Sequence, residues 1–405
     1  MNRRTVLPVV LLATLLLALV AGLVGLSGGS GSAAMVAARR DPSAAPTPST
    51  PPSPTYYDVP MGGTPYSANP RNPLAGGTWS VNQGYWDQGL FSAWEHASGT
   101  DKTYLAKSAL QPKALWFTIG NSSPARNSTA VSSYIALEQH GDPNMLVQLA
   151  VFGIWGYRGE GQRLVSPLTA QEKTDYRAWI RSVSTQIGTS RVAVILEPDL
   201  ALAVNRLDLP KEQRTKGWKA RQKLTAYAAK MFHDNNRHAA VYLDAGDADW
   251  LTTAQAVDLL QRSGIQYARG FALGATHYSS TQDDIARSAE LASALAAHGV
   301  RSHAVIDTAD NGRAFTYQQF YAAHPKSFFD NSFPCAPGKV TVCNALGVAP
   351  TWKVTSTTLP LTTSQKVTAA TYVDGYLWFG RPWLKDQATP FVKKKAILAG
   401  QYSPF

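Results

Sequence analysis

Short apolar segments alternate with amphipathic segments from about residue 146 to residue 306, and this alternation restricts the fold more than any other feature. The apolar segments have the length of strands and occupy residues 146–152, 192–196, 239–243 and 303–306. Nearly continuous apolar strands are typical of parallel sheets that are covered on both faces. Strands that alternate with helices therefore indicate an α/β fold with a parallel sheet.

The segments between these strands have the spacing and the end signals of helices. The helix predicted over residues 169–188 begins with a capping box of Thr169 and Glu172 and stops at Gly188. Further helices are predicted over residues 216–234, 253–264 and 283–299. Four or more right-handed strand–helix units favour a barrel, with a doubly wound sheet as the alternative. No G-x-G-x-x-G sequence follows a strand, which argues against a dinucleotide site.

The N-terminal region differs in composition from the rest of the chain. Residues 6–26 carry no charge, and Arg3 and Arg4 precede them, so residues 1–40 are predicted to be a signal peptide or an N-terminal membrane anchor. Either alternative places the rest of the chain outside the cell, secreted or tethered through residues 6–26. Residues 41–60 are rich in Pro, Ser and Thr and predict a linker, and residues 61–405 predict one large domain.

Composition also limits the classes of function. Hydrophobic residues make up 44% of the chain, which excludes wholesale disorder. The formal charge of +11 comes from scattered basic residues, and no nucleic-acid motif is present. The sequence has no H-E-x-x-H and no C-x₂-C, so we expect no metal site. We expect no organic cofactor either. Cys335 and Cys343 are the two cysteines and are expected to form a disulfide outside the cell. We expect a monomer.

Acidic residues follow three of the predicted strands. Asp199 comes after residues 192–196, Asp244 after residues 239–243, and Asp307 after residues 303–306. In a parallel barrel these strand ends share one face, where active sites are built. Aspartate is also common after strands as a turn former or helix cap, and this simpler interpretation is favoured for Asp307 and Asp249.

A cluster of carboxyl groups suits the hydrolysis of an acetal. Neighbouring carboxylates and apolar surroundings raise a carboxyl pKa, so one group stays protonated while another stays ionised. Glycoside hydrolysis needs such a pair, an acid for the leaving oxygen and a base or nucleophile for the anomeric carbon. Trp250, close to these acids in the sequence, would offer a stacking surface for a sugar ring.

Several segments resemble glycoside hydrolase family 6, the inverting cellobiohydrolases and β-1,4-endoglucanases. "VAVILEPDLALAV" is similar to its V-x-x-E-P-D-S-L-A, and "VYLDAGDADWL" to its Y-L-D-A-G-H-A-x-W-L. "RGFALGATHY", "HGVRSHAVIDTADNG", "CNALGVAPT" and "VDGYLWFGRPWLKD" resemble later segments of the same family in the same order. Order and spacing hold from about residue 80 to residue 390. The resemblance implies a distorted parallel (β/α) barrel of about seven strands.

The resemblance also implies roles for individual residues in the hydrolysis of a β-glucan. Asp199 falls on the general acid, and Asp386 falls near the aspartate that acts as base. The residues implied to bind substrate are Asp244, Trp250, Trp116, His277 and Arg381.

The segment after the second strand departs from the family pattern. The family has Y-[DN]-x-P-x-R-D-C, in which the aspartate supports the general acid, whereas this chain has "VFGIWGYRGEGQ". Phe152 takes the tyrosine position, Arg158 or Gly159 takes the aspartate position, and Glu160 is a candidate supporting acid. Three alternatives follow: an active inverting hydrolase with a rearranged site, a barrel that binds glycan with impaired hydrolysis or acts on another polysaccharide, and a structural protein of the cell surface.

Overall fold

The computed structural model describes residues 69–83, 89–119, 130–155, 167–204, 218–275, 277–327, 329 and 333–405. All of them belong to one compact unit, residues 54–405. The predicted signal peptide or anchor, the predicted linker over residues 41–60, and Glu160 lie outside the described residues. Within the described ranges, no helix has the length and apolar character needed to span a bilayer.

Seven parallel strands form one curled sheet in simple sequential order, β1 to β7. The strands are β1 (Leu115–Thr118), β2 (Val147–Phe152), β3 (Val192–Leu196), β4 (Ala239–Asp244), β5 (Gly270–Leu273), β6 (His303–Asp307) and β7 (Val373–Leu377). A doubly wound sheet would reverse its strand order at a switch point, so the sequential order excludes that alternative. The predicted distorted barrel of about seven strands is confirmed.

The two outer strands approach each other without forming a ladder in the described part of the chain. The Ala114 N–H, just before β1, donates a hydrogen bond of 2.7 Å to the carbonyl of Trp378, just after β7. A second link crosses the interior, where the Tyr242 hydroxyl of β4 donates to Asp374 of β7 at 2.7 Å. The curled sheet is thus held nearly closed by individual hydrogen bonds.

Helices cover the outer face of the sheet. They are α1 (Leu90–Glu95), α2 (Gly99–Ala109), α3 (Ala130–Gln139), α4 (Ala170–Ile187), α5 (Trp218–Asn235), α6 (Thr253–Arg262), α7 (Thr281–Ala296), α8 (Tyr317–Ala323), α9 (Thr363–Tyr372) and α10 (Lys393–Gln401). The capping box predicted at Thr169 and Glu172 is present at the start of α4, and Gly188 follows its last residue. The predicted helices 216–234, 253–264 and 283–299 correspond to α5, α6 and α7, with ends shifted by a few residues.

Alternate residues of each strand face two different cores. Large side chains such as Val194 and Leu243 point outward and pack against the helices. The inner face carries smaller residues, including Ala150, Ala193 and Ala272, which suit the narrow interior of a curled sheet. Both faces are therefore buried, as the continuous apolar strands predict.

The predicted disulfide between Cys335 and Cys343 is present. Both cysteines are buried and lie eight positions apart, so they close a short loop. Ala345, two residues after this loop, forms a β-bridge with Asn311, which follows β6. The prediction from the two cysteines is confirmed.

Candidate active site

The chain leaves β3 through a sharp turn that carries Asp199. Glu197 has φ 57° and Asp199 has φ 66°, so two non-glycine residues adopt the left-handed region within three positions. Such residues persist only where the surrounding structure fixes them, and they concentrate at functional sites. A short 3₁₀ helix, Leu200–Ala203, follows directly. The Asp199 side chain is only 6% exposed at the carboxyl end of the sheet.

The side chain of Glu197 anchors this turn to the end of β2 and to Tyr176 of α4. One carboxylate oxygen accepts the N–H groups of Gly153 and Ile154 at 2.8 and 3.0 Å, and the other accepts the Tyr176 hydroxyl at 2.7 Å. Burial raises the pKa of Glu197 to about 7, and the hydrogen bonds oppose that shift. Glu197 thereby joins the exit of β2 to the exit of β3. These contacts give Glu197 a structural role under the rim.

Asp244, at the end of β4, anchors the same turn from the other side. Its oxygens accept the N–H of Ala201 at 3.1 Å and the N–H of Gly246 at 3.3 Å. Burial raises the pKa of Asp244 to about 7, and the nearby Asp247 adds to the shift. The carboxyl group of Asp244 therefore fixes the backbone two residues after Asp199, a contact that suits a positioning role.

The loops after β4 and β5 bring a histidine, an aspartate and a tryptophan together. His277 Nδ1 lies 2.8 Å from Asp247 Oδ2, and both side chains are buried. The imidazole ring lies 4.5 Å from the Trp250 ring and 4.9 Å from the Phe329 ring, between centroids. Trp250 itself is partly exposed. Two residues implied by the resemblance, His277 and Trp250, are therefore in contact.

The predicted pair Trp116 and Arg381 lies where β1 meets the exit of β7. The Arg381 guanidinium stacks 3.7 Å above the centroid of the Trp116 ring. The indole N–H of Trp116 donates to the carbonyl of Phe379 at 2.7 Å. Phe152 packs 5.4 Å away on the neighbouring strand. One face of the Trp116 ring is thus covered by the charged guanidinium of Arg381, and its N–H is engaged in a hydrogen bond to the backbone.

Asp386 lies in a different setting from the other acids. It forms a two-residue turn with Gln387 between the short antiparallel strands β8 (Leu384–Lys385) and β9 (Ala388–Phe391). Both turn residues are left-handed, with φ 51° and 58°. The side chain of Asp386 is exposed, whereas that of Gln387 is buried. Asp386 therefore stands on the rim, on the hairpin after β7.

Two features of this rim were not predicted from the sequence. One is the pairing of Asp247 with His277, and the other is Asp310, which has no exposed surface. The signal for Asp310 was present in the sequence, since it follows β6 by three residues in "DTAD". Within the described part of the chain, no group of three or more His, Cys, Asp or Glu side chains is arranged to hold a metal ion.

The raised pKa values of Glu197 and Asp244 predict that folding stability falls with rising pH. Their ordinary values are 4.5 and 3.8, and both reach about 7 in the folded protein. Protonation therefore favours the folded state, and stability is lost as the pH rises from about 4 to about 7. These differences correspond to about 3 kcal/mol for Glu197 and about 4 kcal/mol for Asp244.

Urea unfolding of the wild type and of Glu197→Gln at pH 5 and pH 8 measures this effect. The variant lacks one titrating group, so its loss of stability between the two pH values should be smaller than that of the wild type. An equal loss in both proteins would show that Glu197 does not titrate with a raised pKa.

Comparison with known proteins places these features in a family. The model of "Glycosyl hydrolases family 6" matches residues 78–378, well over half of the chain. Endoglucanase A of Cellulomonas fimi is 33% identical over 226 residues, which are 55% of this chain and 44% of that protein. Endoglucanase 1 of Streptomyces sp. (strain KSM-9) is 31% identical over 140 residues, 34% of this chain and 36% of that protein. The chain thus spans less than half the length of these curated relatives.

Solved structures agree with the family match. The endoglucanase Cel6 from Mycobacterium tuberculosis, in complex with methyl-cellobiosyl-4-deoxy-4-thio-β-D-cellobioside, has a TM-score of 0.62 and 27% identity. The alignment covers 82% of this chain and 99% of that one. Endoglucanase Cel6B from Humicola insolens shares the fold at a TM-score of 0.58, 18% identity, and coverage of 82% and 98%. The family model matches most of the barrel, and the sequence segments of that family lie at the carboxyl ends of the strands. This chain therefore belongs to glycosyl hydrolase family 6.

Proposed function

We propose that the chain hydrolyses β-1,4-glucosidic bonds in cellulose or a related β-glucan with inversion at the anomeric carbon. Membership of the family supports glycoside hydrolysis, and the similar proteins named as endoglucanases support a β-glucan as substrate. The observation that carries the proposal is the turn at Asp199. A buried aspartate in a strained turn, fixed by the carboxyl groups of Glu197 and Asp244, is the kind of site in which catalytic acids occur.

Asp199 serves as the general acid in this proposal. Its carboxyl proton passes to the glycosidic oxygen as the bond from that oxygen to the anomeric carbon breaks. The anchors at Glu197 and Asp244 hold the backbone on either side of Asp199, so the acid stays aligned with the leaving oxygen. Holding a catalytic group in its reactive geometry removes much of the entropic barrier.

Asp386 serves as the general base. It accepts a proton from the water that attacks the anomeric carbon on the face opposite to the leaving group, which inverts the configuration. Its exposed position on the rim suits contact with water and substrate. The half-buried Lys395 lies near enough for electrostatic interaction with Asp386 and Asp310, whose negative charges oppose the lowering of the Lys395 pKa by burial.

Aromatic and charged groups around the rim bind the sugar chain in this proposal. Trp250, whose ring contacts His277, provides a stacking surface for a sugar ring. The guanidinium of Arg381, stacked on Trp116 where β1 meets the exit of β7, provides hydrogen-bond donors for sugar hydroxyls. Asp244 contributes through the turn that it anchors. The disulfide and the predicted signal peptide or anchor support action outside the cell, in secreted form or tethered through residues 6–26.

Trp250→Ala is expected to weaken binding of cello-oligosaccharides by about 2- to 10-fold, since aromatic packing contributes ~0.5–1.5 kcal/mol beyond area burial. Isothermal titration with cellohexaose measures the change. Trp94→Ala, in α1, is the matched control because its partly exposed ring contacts Phe91 in α1 and Lys102 in α2, away from the loops after β4 and β5 that carry Trp250 and His277. Equal effects in both variants, or none at Trp250, would remove Trp250 from the binding surface.

Release of reducing sugar from a panel of glucans tests the proposed function. We expect release from carboxymethyl cellulose and mixed-linkage β-glucan, and none from a β-1,3-glucan. A second candidate is a barrel that binds glycan without turnover, which the departure of residues 151–162 from the family pattern favours. Binding without release would support that candidate. Failure to bind or cleave any glucan would overturn both.

A further inference from the structure

The hairpin that carries Asp386 is tied to the barrel through the neighbouring Gln387. We name β8, β9 and their turn, residues 384–391, the 386 hairpin. Gln387 is 5% exposed and turns inward while Asp386 faces outward. The Gln387 side-chain oxygen accepts the N–H of Arg381, and its amide nitrogen donates to Asp310 Oδ2 at 2.6 Å. Gln387 thus bridges the start of the loop after β7 and the loop after β6.

Asp310, which accepts the hydrogen bond from Gln387, is buried in the barrel. Its side chain has no exposed surface, and Oδ1 makes no hydrogen bond within the described residues. Burial and the nearby Asp307 raise its pKa, while Gln387 and His277 oppose the shift. A carboxyl group without exposed surface does not reach a sugar ring, so Asp310 is suited to holding another group in place.

Asp307, the last residue of β6, and Asp310, three residues later, fix the exit of β7 at two separate points. Asp307 accepts the backbone N–H groups of Phe379, at 3.3 Å, and Gly380. A side chain at Gly380 would place its Cβ 3.0 Å from Asp307 Oδ2 and 3.1 Å from Asp310 Oδ2. Both carboxyl groups therefore lie directly against the backbone that leads into the 386 hairpin. Asp307 holds the beginning of that backbone, and Asp310 holds the turn through Gln387.

We propose that Asp310 is a positioning residue that acts through Gln387 to set the orientation of the 386 hairpin, and with it Asp386. The inference rests on the proposed role of Asp386 as base. The turn needs such a constraint, because Asp386 and Gln387 both adopt left-handed backbone and neither is glycine. Asparagine and aspartate tolerate this conformation better than glutamine does. The buried bond to Asp310 therefore selects the orientation in which Gln387 points in and Asp386 points out.

A double-mutant cycle on the full chain tests this coupling. Asp310→Ala should lower kcat by about 10- to 100-fold with little change in KM, as expected when a catalytic group is misplaced by about 1 Å. Asp310→Asn should keep most of the rate, since its amide oxygen still accepts from Gln387. In an Asp386→Ala background, Asp310→Ala should cost nothing further. Equal losses in both backgrounds, or an Asn variant as impaired as the Ala variant, would overturn the proposal.

Hydrogen–deuterium exchange gives a readout that does not depend on activity. Amides of residues 381–391 should exchange faster in Asp310→Ala than in the wild type or Asp310→Asn, while β3 and β4 remain protected. Gln387→Asn shortens the same link from the hairpin side with a residue that tolerates left-handed backbone, and it serves if Asp310→Ala does not fold. Unchanged exchange in residues 381–391 would overturn the anchor. A wild type that cleaves no glucan would instead overturn the proposed function and leave the exchange result to decide the anchor.

Discussion

Asp199→Asn should lower kcat for hydrolysis of β-1,4-glucan by about 10²- to 10⁴-fold, the usual contribution of a general acid. Asparagine is the informative replacement because residue 199 has φ 66°, a conformation that asparagine adopts readily and alanine does not. The variant keeps the shape of the side chain and removes the proton that the leaving oxygen needs. Steady-state kinetics on soluble cello-oligosaccharides measures the loss, and thermal unfolding verifies that the fold is retained.

The leaving group supplies the control for this variant. An aryl β-cellobioside whose phenol leaves as a stable anion needs little protonation, so Asp199→Asn should hydrolyse it at a rate much closer to that of the wild type. A variant impaired to the same degree on both substrates would show that Asp199 positions the substrate. A variant of unchanged rate on cello-oligosaccharides would remove Asp199 from the reaction.

Asp386→Ala should cause a loss of similar size, about 10²- to 10⁴-fold in kcat, because water is a weak nucleophile without a base to accept its proton. The left-handed turn at Asp386 makes Asp386→Asn the matched second variant, since it preserves the backbone and removes the basic oxygen. Both variants should retain the affinity of the wild type for cello-oligosaccharides.

Azide distinguishes a missing base from a damaged site. Azide is an anion that attacks the anomeric carbon without losing a proton, so it should restore turnover to both variants at residue 386. The azide forms the new bond as the glycosidic bond breaks, Asp199 protonates the departing sugar, and the product is an α-glycosyl azide. Lack of rescue combined with weakened binding would indicate that Asp386 holds the substrate. Full activity of both variants without azide would show that the base lies elsewhere.

The strands that carry most of the site could be predicted from the sequence because their apolar side chains are continuous. Residues 192–196 form β3, as the sequence predicts, and Asp199 follows in the turn after this strand. The strands β1, β5 and β7 were not identified from periodicity. Gly270 and Gly375 interrupt the pattern of β5 and β7, and a Cβ at Gly270 would lie 1.7 Å from the carbonyl of His303. Close approach of neighbouring backbone requires glycine there, whereas strand propensity disfavours it.

The contacts within the site were harder to predict than the positions of its residues. Asp247 and His277 follow neighbouring strands, so their proximity follows from the topology, but their hydrogen bond depends on loop conformation. Asp386 and Gln387 are adjacent, and the sequence does not decide which of them faces inward. That choice depends on a left-handed turn and on Asp310, which lies 77 residues from Gln387. The region around Glu160, predicted as a candidate supporting acid, lies outside the described residues.

The anomeric configuration of the first product tests the central claim most directly. Proton NMR during the first minutes of cellohexaose hydrolysis distinguishes the α and β forms of the new reducing end before they interconvert. Inverting hydrolysis with Asp199 as acid and Asp386 as base predicts that the α anomer appears first. Initial appearance of the β anomer would indicate retention and contradict the account.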